Sequence, residues 1–169
     1  MSFDDPYAPP RADLTRRHDA EDDPELARRL TRLAASFLDS IIGMALAFPL
    51  MYVLGTWDYI QRGQNPPFQL TLAGAALGFT GFLLIHGYFL KTDGQTIGKK
   101  LTKIRIADLD GNVPSFATVI LVRYLPITLV TLIPFIGAYL TLVDVLFIFR
   151  GDRRCIHDLI AGTKVIIAK

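Results

Sequence analysis

Apolar positions fall into three long runs set apart by polar stretches. The first, 33–54, is interrupted by a single charge, Asp39. As a helix it would be about 33 Å long, enough to cross a hydrocarbon core of about 30 Å. The second, 70–90, is also of spanning length; Gly74, Gly78, Gly81 and Gly87 permit close helix contact, and His86 is its one ionisable residue. Between them, Asn65, Pro66 and Pro67 break any helix, and Trp57 and Tyr59 suit the headgroup level. The third run, 116–149, would measure about 51 Å as one straight helix, far more than a bilayer needs. Pro134 and Gly137 lie near its middle.

The polar stretches have patterns of their own. Within 91–114, residues 96–101 (TIGKKL) suit one helical turn, and 102–107 (TKIRIA) alternate like a strand that ends at Asp110, Gly111 and Asn112. A matching strand is expected at 163–168 (TKVIIA), giving a small cytosolic β-pair. In 153–162 (RRCIHDLIAG), Ile156, Leu159 and Ile160 recur at helical spacing, which predicts a short interfacial helix on which His157 and Asp158 diverge. Residues 1–24, rich in Asp and Pro, read as a disordered acidic tail. No basic start followed by a short apolar core is present there, so insertion is expected through the first membrane helix.

Composition agrees with a membrane chain. Of 169 residues 51% are hydrophobic and only 20% charged, and the mean hydropathy is +0.35. This argues against a soluble enzyme, a disordered chain and a nucleic-acid binder. Basic residues gather before 33, in 91–114 and after 149, whereas the first loop has only Arg62. The positive-inside rule therefore places both termini and the second loop in the cytoplasm, which requires an even number of crossings. The third run is accordingly divided at Pro134 into 116–133 and 135–149, as two spans or a re-entrant hairpin. The expected fold is an all-α integral membrane protein with four membrane segments, a small β-pair and the acidic tail, residues 25–169 forming the membrane domain. Its single cysteine, Cys155, excludes an internal disulfide, and no set of Cys or His stands at metal-ligand spacing.

Four ionisable residues enter the apolar runs: Asp39, His86, Arg123 and Asp144. Groups at such depth are costly unless paired or hydrated, and by default mark functional sites. Helical rise places all four within about 7–12 Å of the cytoplasmic edge. In the hairpin, Arg123 and Asp144 are at matching depth and are expected to partner each other, with Asp39 as the third member. Such a network either locks the helices or serves transport, with Asp39 as the site of a transient cation or proton. His86 either hydrogen-bonds a carbonyl or handles protons. The segment GQTIGKK lacks the spacing of a phosphate loop, DLDG reads as a tight turn rather than a calcium loop, and Cys155 as an interfacial bystander. No cofactor is expected, and no enzymatic activity, since no nucleophile, base and orienting group converge.

The segments RLAASFLD at 32–39, GQTIGKKLTKIRIADLDG at 94–111, LVRYLP at 121–126 and RRCIHDLIAGTKV at 153–165 together resemble the RDD family of bacterial membrane proteins. That family is named for an arginine and two aspartates. The resemblance implies that Arg32 is the arginine and Asp39 the first aspartate; Asp158 and Asp144 are both candidates for the second. It also implies a transporter or transporter subunit of the bacterial inner membrane, with cation/proton exchange suggested within the family. The expected partners are the bilayer, a monovalent cation or proton, and further copies of the chain, because four short helices enclose little space. The alternative is an accessory or scaffold protein whose basic cytosolic face and acidic tail recruit a partner.

Overall fold

A computed structural model describes residues 25–133 and 136–168. Helix α1 (Arg29–Val53) leads through a short α2 (Thr56–Gln61) into α3 (Phe68–Thr92). Both long helices meet the length and hydropathy needed to cross a membrane, and little of either is covered by the rest of the protein. Leu84 on α3 and Val53 on α1 are about four-fifths exposed. In water such surfaces would be a liability, whereas in hydrocarbon they are solvated. The third apolar run is divided as its composition predicts. A π-helical stretch, Thr118–Tyr124, continues into α5 (Leu125–Thr131) and is followed by α6 (Ile136–Leu146) and a 3₁₀ turn, Phe147–Phe149. The arms Thr118–Thr131 and Ile136–Phe149 have 14 residues each, about 21 Å at α-helical rise, short of a full core thickness. Pro134, the expected divider, and the tail at 1–24 lie outside the described residues.

The polar segments build a cap on one end of these helices. α4 (Ile97–Leu101) and β1 (Ile104–Asp108) follow α3, while α7 (Ile156–Ile160) and β2 (Thr163–Ile167) close the chain. β1 and β2 pair antiparallel from Ile104↔Ile167 to Asp108↔Thr163. This is the β-pair expected from the alternation in both segments. The chain just before α1 joins its edge: Ala27 N–H donates to Val165 O (3.0 Å), and Ile167 N–H donates to Glu25 O (2.9 Å).

The cap is docked on the helices by two apolar clusters. Ala27 and Ala35 meet Ile104 and Val165 on one side. On the other, Ile106 packs with Leu90, Val119 and Ile120. Alternate residues of one short strand thus bind both long helices and the hairpin to the sheet. Ile106 is fully buried, so Ile106→Ala should cost about 2–5 kcal/mol. Thermal unfolding in detergent checks this, and an unchanged midpoint would mean that the cap is not docked as described.

Candidate functional site

α7 is only a turn long, yet its Asp158 is the most heavily engaged side chain in the cap. Asp158 occupies the third position of the helix, and its Oδ2 accepts from the backbone N–H of Cys155 (3.0 Å), closing a capping box. Arg32, one turn into α1, donates to the same oxygen through Nη2 (2.6 Å), and its Nη1 bonds the carbonyl of Arg153. Arg123 comes from the π-helical stretch and pairs its Nη1 with Asp158 Oδ1 while also donating to Thr163 Oγ1 (2.5 Å). Pro126 explains that stretch: it has no N–H for the carbonyl of Val122, and wider π winding precedes such a gap. Asp158 is wholly buried, and Arg123 and Arg32 nearly so. Burial would push its carboxyl up, but the Arg123 and Arg32 guanidiniums outweigh it and hold Asp158 well below the usual carboxylate range.

His157 extends this cluster to α6. Asp144 Oδ1 accepts from the His157 backbone N–H (2.9 Å), and Oδ2 lies 2.6 Å from Nδ1. Nε2 lies 3.3 Å from Arg123 Nη2, which can only donate. A neutral ring with its proton on Nδ1 satisfies both contacts. Burial and the Arg123 guanidinium accordingly hold the His157 pKa below its ordinary value, against the opposing pull of Asp144. Asp144, Cys155 and His157 place potential metal-ligand atoms within 4.8 Å of one another. Their donor atoms are already engaged, however: Nδ1 is on Asp144, Arg32 Nη2 lies 3.5 Å from Sγ, and burial pushes the thiol up to about 11. The chemistry of this set disfavours a metal.

A second cluster ties α4 to the long helices. Thr96 caps α4, and Asp39 on α1 receives Thr96 Oγ1–H on Oδ2 (2.5 Å) and the Gly98 N–H on Oδ1 (2.8 Å). Between these donors, the Ile97 N–H donates to His86 Nδ1 (3.2 Å). Lys99 Nζ stands 3.8 Å from Asp39 Oδ2. Gly98 is required for this approach: a Cβ there would collide with the Ala35 carbonyl and stand 2.8 Å from Asp39 Oδ1. Asp39 and His86 also line a cavity of about 550 Å³ between α1 and α3.

The six residues singled out in the sequence thus divide into two groups. Arg32, Arg123, Asp144 and Asp158 converge, with Asp144 reaching the others through His157. Asp39 on α1 and His86 on α3 converge instead on the start of α4. The expected direct pairing of Arg123 with Asp144, completed by Asp39, is corrected: the cap folds over the helix ends and supplies nearer partners. His157 and Asp158 do not diverge as expected, since His157 Nε2 is 3.6 Å from Asp158 Oδ1, and Cys155 is buried rather than interfacial. The roles of His157, Thr96, Gly98 and Thr163 escaped sequence reasoning, although Thr96 before a helix-prone turn is a recognisable N-cap signal.

The RDD family model matches residues 26–162. The chain belongs to the RDD family. The match starts beside the β-edge at Ala27 and takes in both clusters except Thr163. Among its relatives is a Bacillus subtilis (strain 168) protein named "Uncharacterized protein YckC", 33% identical over 137 residues, spanning 81% of this chain and 82% of the relative. No solved structure matches the chain. In this RDD protein the arginine near the start of α1 pairs, among the described residues, with Asp158, and Asp39, also on α1, stands apart with its hydrogen bonds to α4.

The pH response follows from His157. A ring whose pKa is lowered on folding contributes stability that is complete above its ordinary value near 6.5 and is lost as pH falls below it. The unfolding midpoint in detergent should therefore fall between pH 7.5 and 5.5, and His157→Gln should flatten that slope; an equally steep slope in the variant would contradict a neutral His157. The Asp158 contribution is lost only in stronger acid, below about pH 4. Gly98→Ala should cost about 1–3 kcal/mol by overpacking, and native-like thermal stability would refute the close approach of α4 to Asp39.

Proposed function

We propose that this RDD protein is a transporter or transporter subunit of the bacterial inner membrane that exchanges a monovalent cation for a proton at Asp39, working as an oligomer. The supporting observation is placement: Asp39 and His86 are the ionisable residues lining the cavity between the two long helices. The Lys99 ammonium is 3.8 Å from the carboxylate, close enough to attract it and too far for a strong hydrogen bond. A cation entering from the cavity competes with that ammonium for the same oxygen. Exchange itself requires the cation and a proton to occupy the Asp39 carboxylate in turn, the proton leaving when the cation binds and returning when the cation departs.

In this reading the Arg32–Asp158–Arg123 cluster holds the cap in place and carries no ion, because its carboxylate is wholly buried and shared by two guanidiniums. The cap faces the cytoplasm with both termini, the 118–149 hairpin enters the membrane beside α1 and α3, and the protein is not an enzyme. The arrangement of basic residues and the engaged, unreactive Cys155 thiol support this.

A second reading has a specific observation in its favour. The closed cluster and rigid cap would equally suit a scaffold that presents a surface to a cytosolic partner. Asp39→Asn in proteoliposomes separates the two. The exchange reading expects sodium-driven proton movement in the wild type and a loss of at least about tenfold in the variant, with the unfolding midpoint kept within a few degrees. Exchange that is absent from the wild type or unaltered in Asp39→Asn would refute it. Loss of a co-purifying protein on deletion of residues 1–24 would then favour the scaffold.

A further inference from the structure

The cavity between α1 and α3 has an asymmetry that ion exchange does not use. Its walls are apolar, formed by side chains such as Leu46, Leu50, Leu54 and Leu70, and it runs from Asp39 and His86 at the cap to Thr56 and Pro66 at the far end. Along α1 the distance from Asp39 to Leu54 is about 22 Å. Its volume of about 550 Å³ lies within the range of small-molecule sites, about 300–1,000 Å³.

The polar end is also distinctive. His86 is only 2% exposed. Its Nδ1 accepts from the Ile97 N–H, so a neutral ring carries its proton on Nε2. Among the described residues none accepts a hydrogen bond from Nε2; the neighbouring ring is that of Phe82, with centroids 4.9 Å apart. An N–H that opens on an apolar cavity in hydrocarbon is costly to leave unsatisfied, and an acyl chain cannot satisfy it. The adjacent carboxylate of Asp39 holds acceptor capacity beyond its bonds to Thr96 and Gly98, since each oxygen has two lone pairs. One donor and one acceptor therefore line the same end of a long apolar slot.

We propose that this cavity binds a membrane-dissolved amphiphile with a single hydroxyl head, an alcohol or a phenol on a long apolar body. One hydroxyl satisfies both walls: its oxygen accepts from His86 Nε2–H, and its hydrogen is donated to the Asp39 carboxylate. A charged head would fit less well. An anion would face Asp39, and an ammonium has no lone pair for His86 and would compete with Lys99. The body then lies along α1 and α3, covering leucines that otherwise meet bulk lipid. Binding requires no ion gradient, so this inference does not depend on the exchange reading.

The test is equilibrium binding of tritiated 4-nonylphenol to the full chain in phosphatidylcholine nanodiscs, with nonylbenzene and 4-nonylanisole as competitors. Saturable binding of one phenol per chain is expected, with the hydrocarbon and the ether at least about tenfold weaker, the weight of one good hydrogen bond. Gly43 lines the cavity, and a Cβ there meets nothing within 4 Å, so Gly43→Leu should fill the slot without disturbing the fold and abolish saturable binding. His86→Ala should weaken the phenol about tenfold and leave nonylbenzene unchanged. Unsaturable partitioning, equal affinity for phenol, ether and hydrocarbon, or undiminished binding in Gly43→Leu would each overturn the proposal. None of these results depends on whether Asp39→Asn alters exchange.

Discussion

A wholly buried carboxylate shared by two guanidiniums from distant parts of the chain is the constraint on which the rest depends. Asp158 joins three elements: the start of α1, the π-helical stretch before α5, and the α7–β2 segment at the end of the chain. An uncompensated charge in that position would be heavily penalised, and either arginine alone would leave an oxygen without a cationic partner. The two arginines therefore need the carboxylate as much as it needs them. Once they are joined, β2 lies beside β1, and β1 lays Ile104 and Ile106 on the two apolar clusters.

The second polar cluster works differently. Asp39 and His86 are accepting groups, and they receive successive donors from the start of α4, the Thr96 hydroxyl and the Ile97 and Gly98 amides. The orphan N–H groups of a short helix are thereby satisfied by side chains from two membrane-capable helices. Asp39 so placed is neither a bare intramembrane charge nor a sealed ion pair. It lies between the cap and the cavity, with Lys99 as the nearby cation.

Much of the fold was legible because its elements repeat a local pattern. The long helices announce themselves by length and hydropathy, and the β-pair by alternation in two short segments. The divided hairpin was foreseen from the excess length of one apolar run together with charge bookkeeping, although neither arm reaches the length of a full span. What escaped was pairing across the chain. Arg32 and Asp158 are 126 positions apart, and helical depth alone favoured Arg123 with Asp144 because it treats the membrane helices as a ladder and ignores what folds over their ends. The need for glycine at position 98 is similarly invisible in composition, since it rests on a close approach to Ala35 and Asp39 that only the packed structure displays.

The most direct test of the central claim is a double-mutant cycle between Arg32 and Asp158, using Arg32→Met and Asp158→Asn singly and together, read by equilibrium unfolding in detergent. A buried, mutually dependent pair predicts a coupling energy of at least about 1.5 kcal/mol, with the double variant less damaged than the sum of the singles. A coupling within about 0.5 kcal/mol of zero would contradict the account.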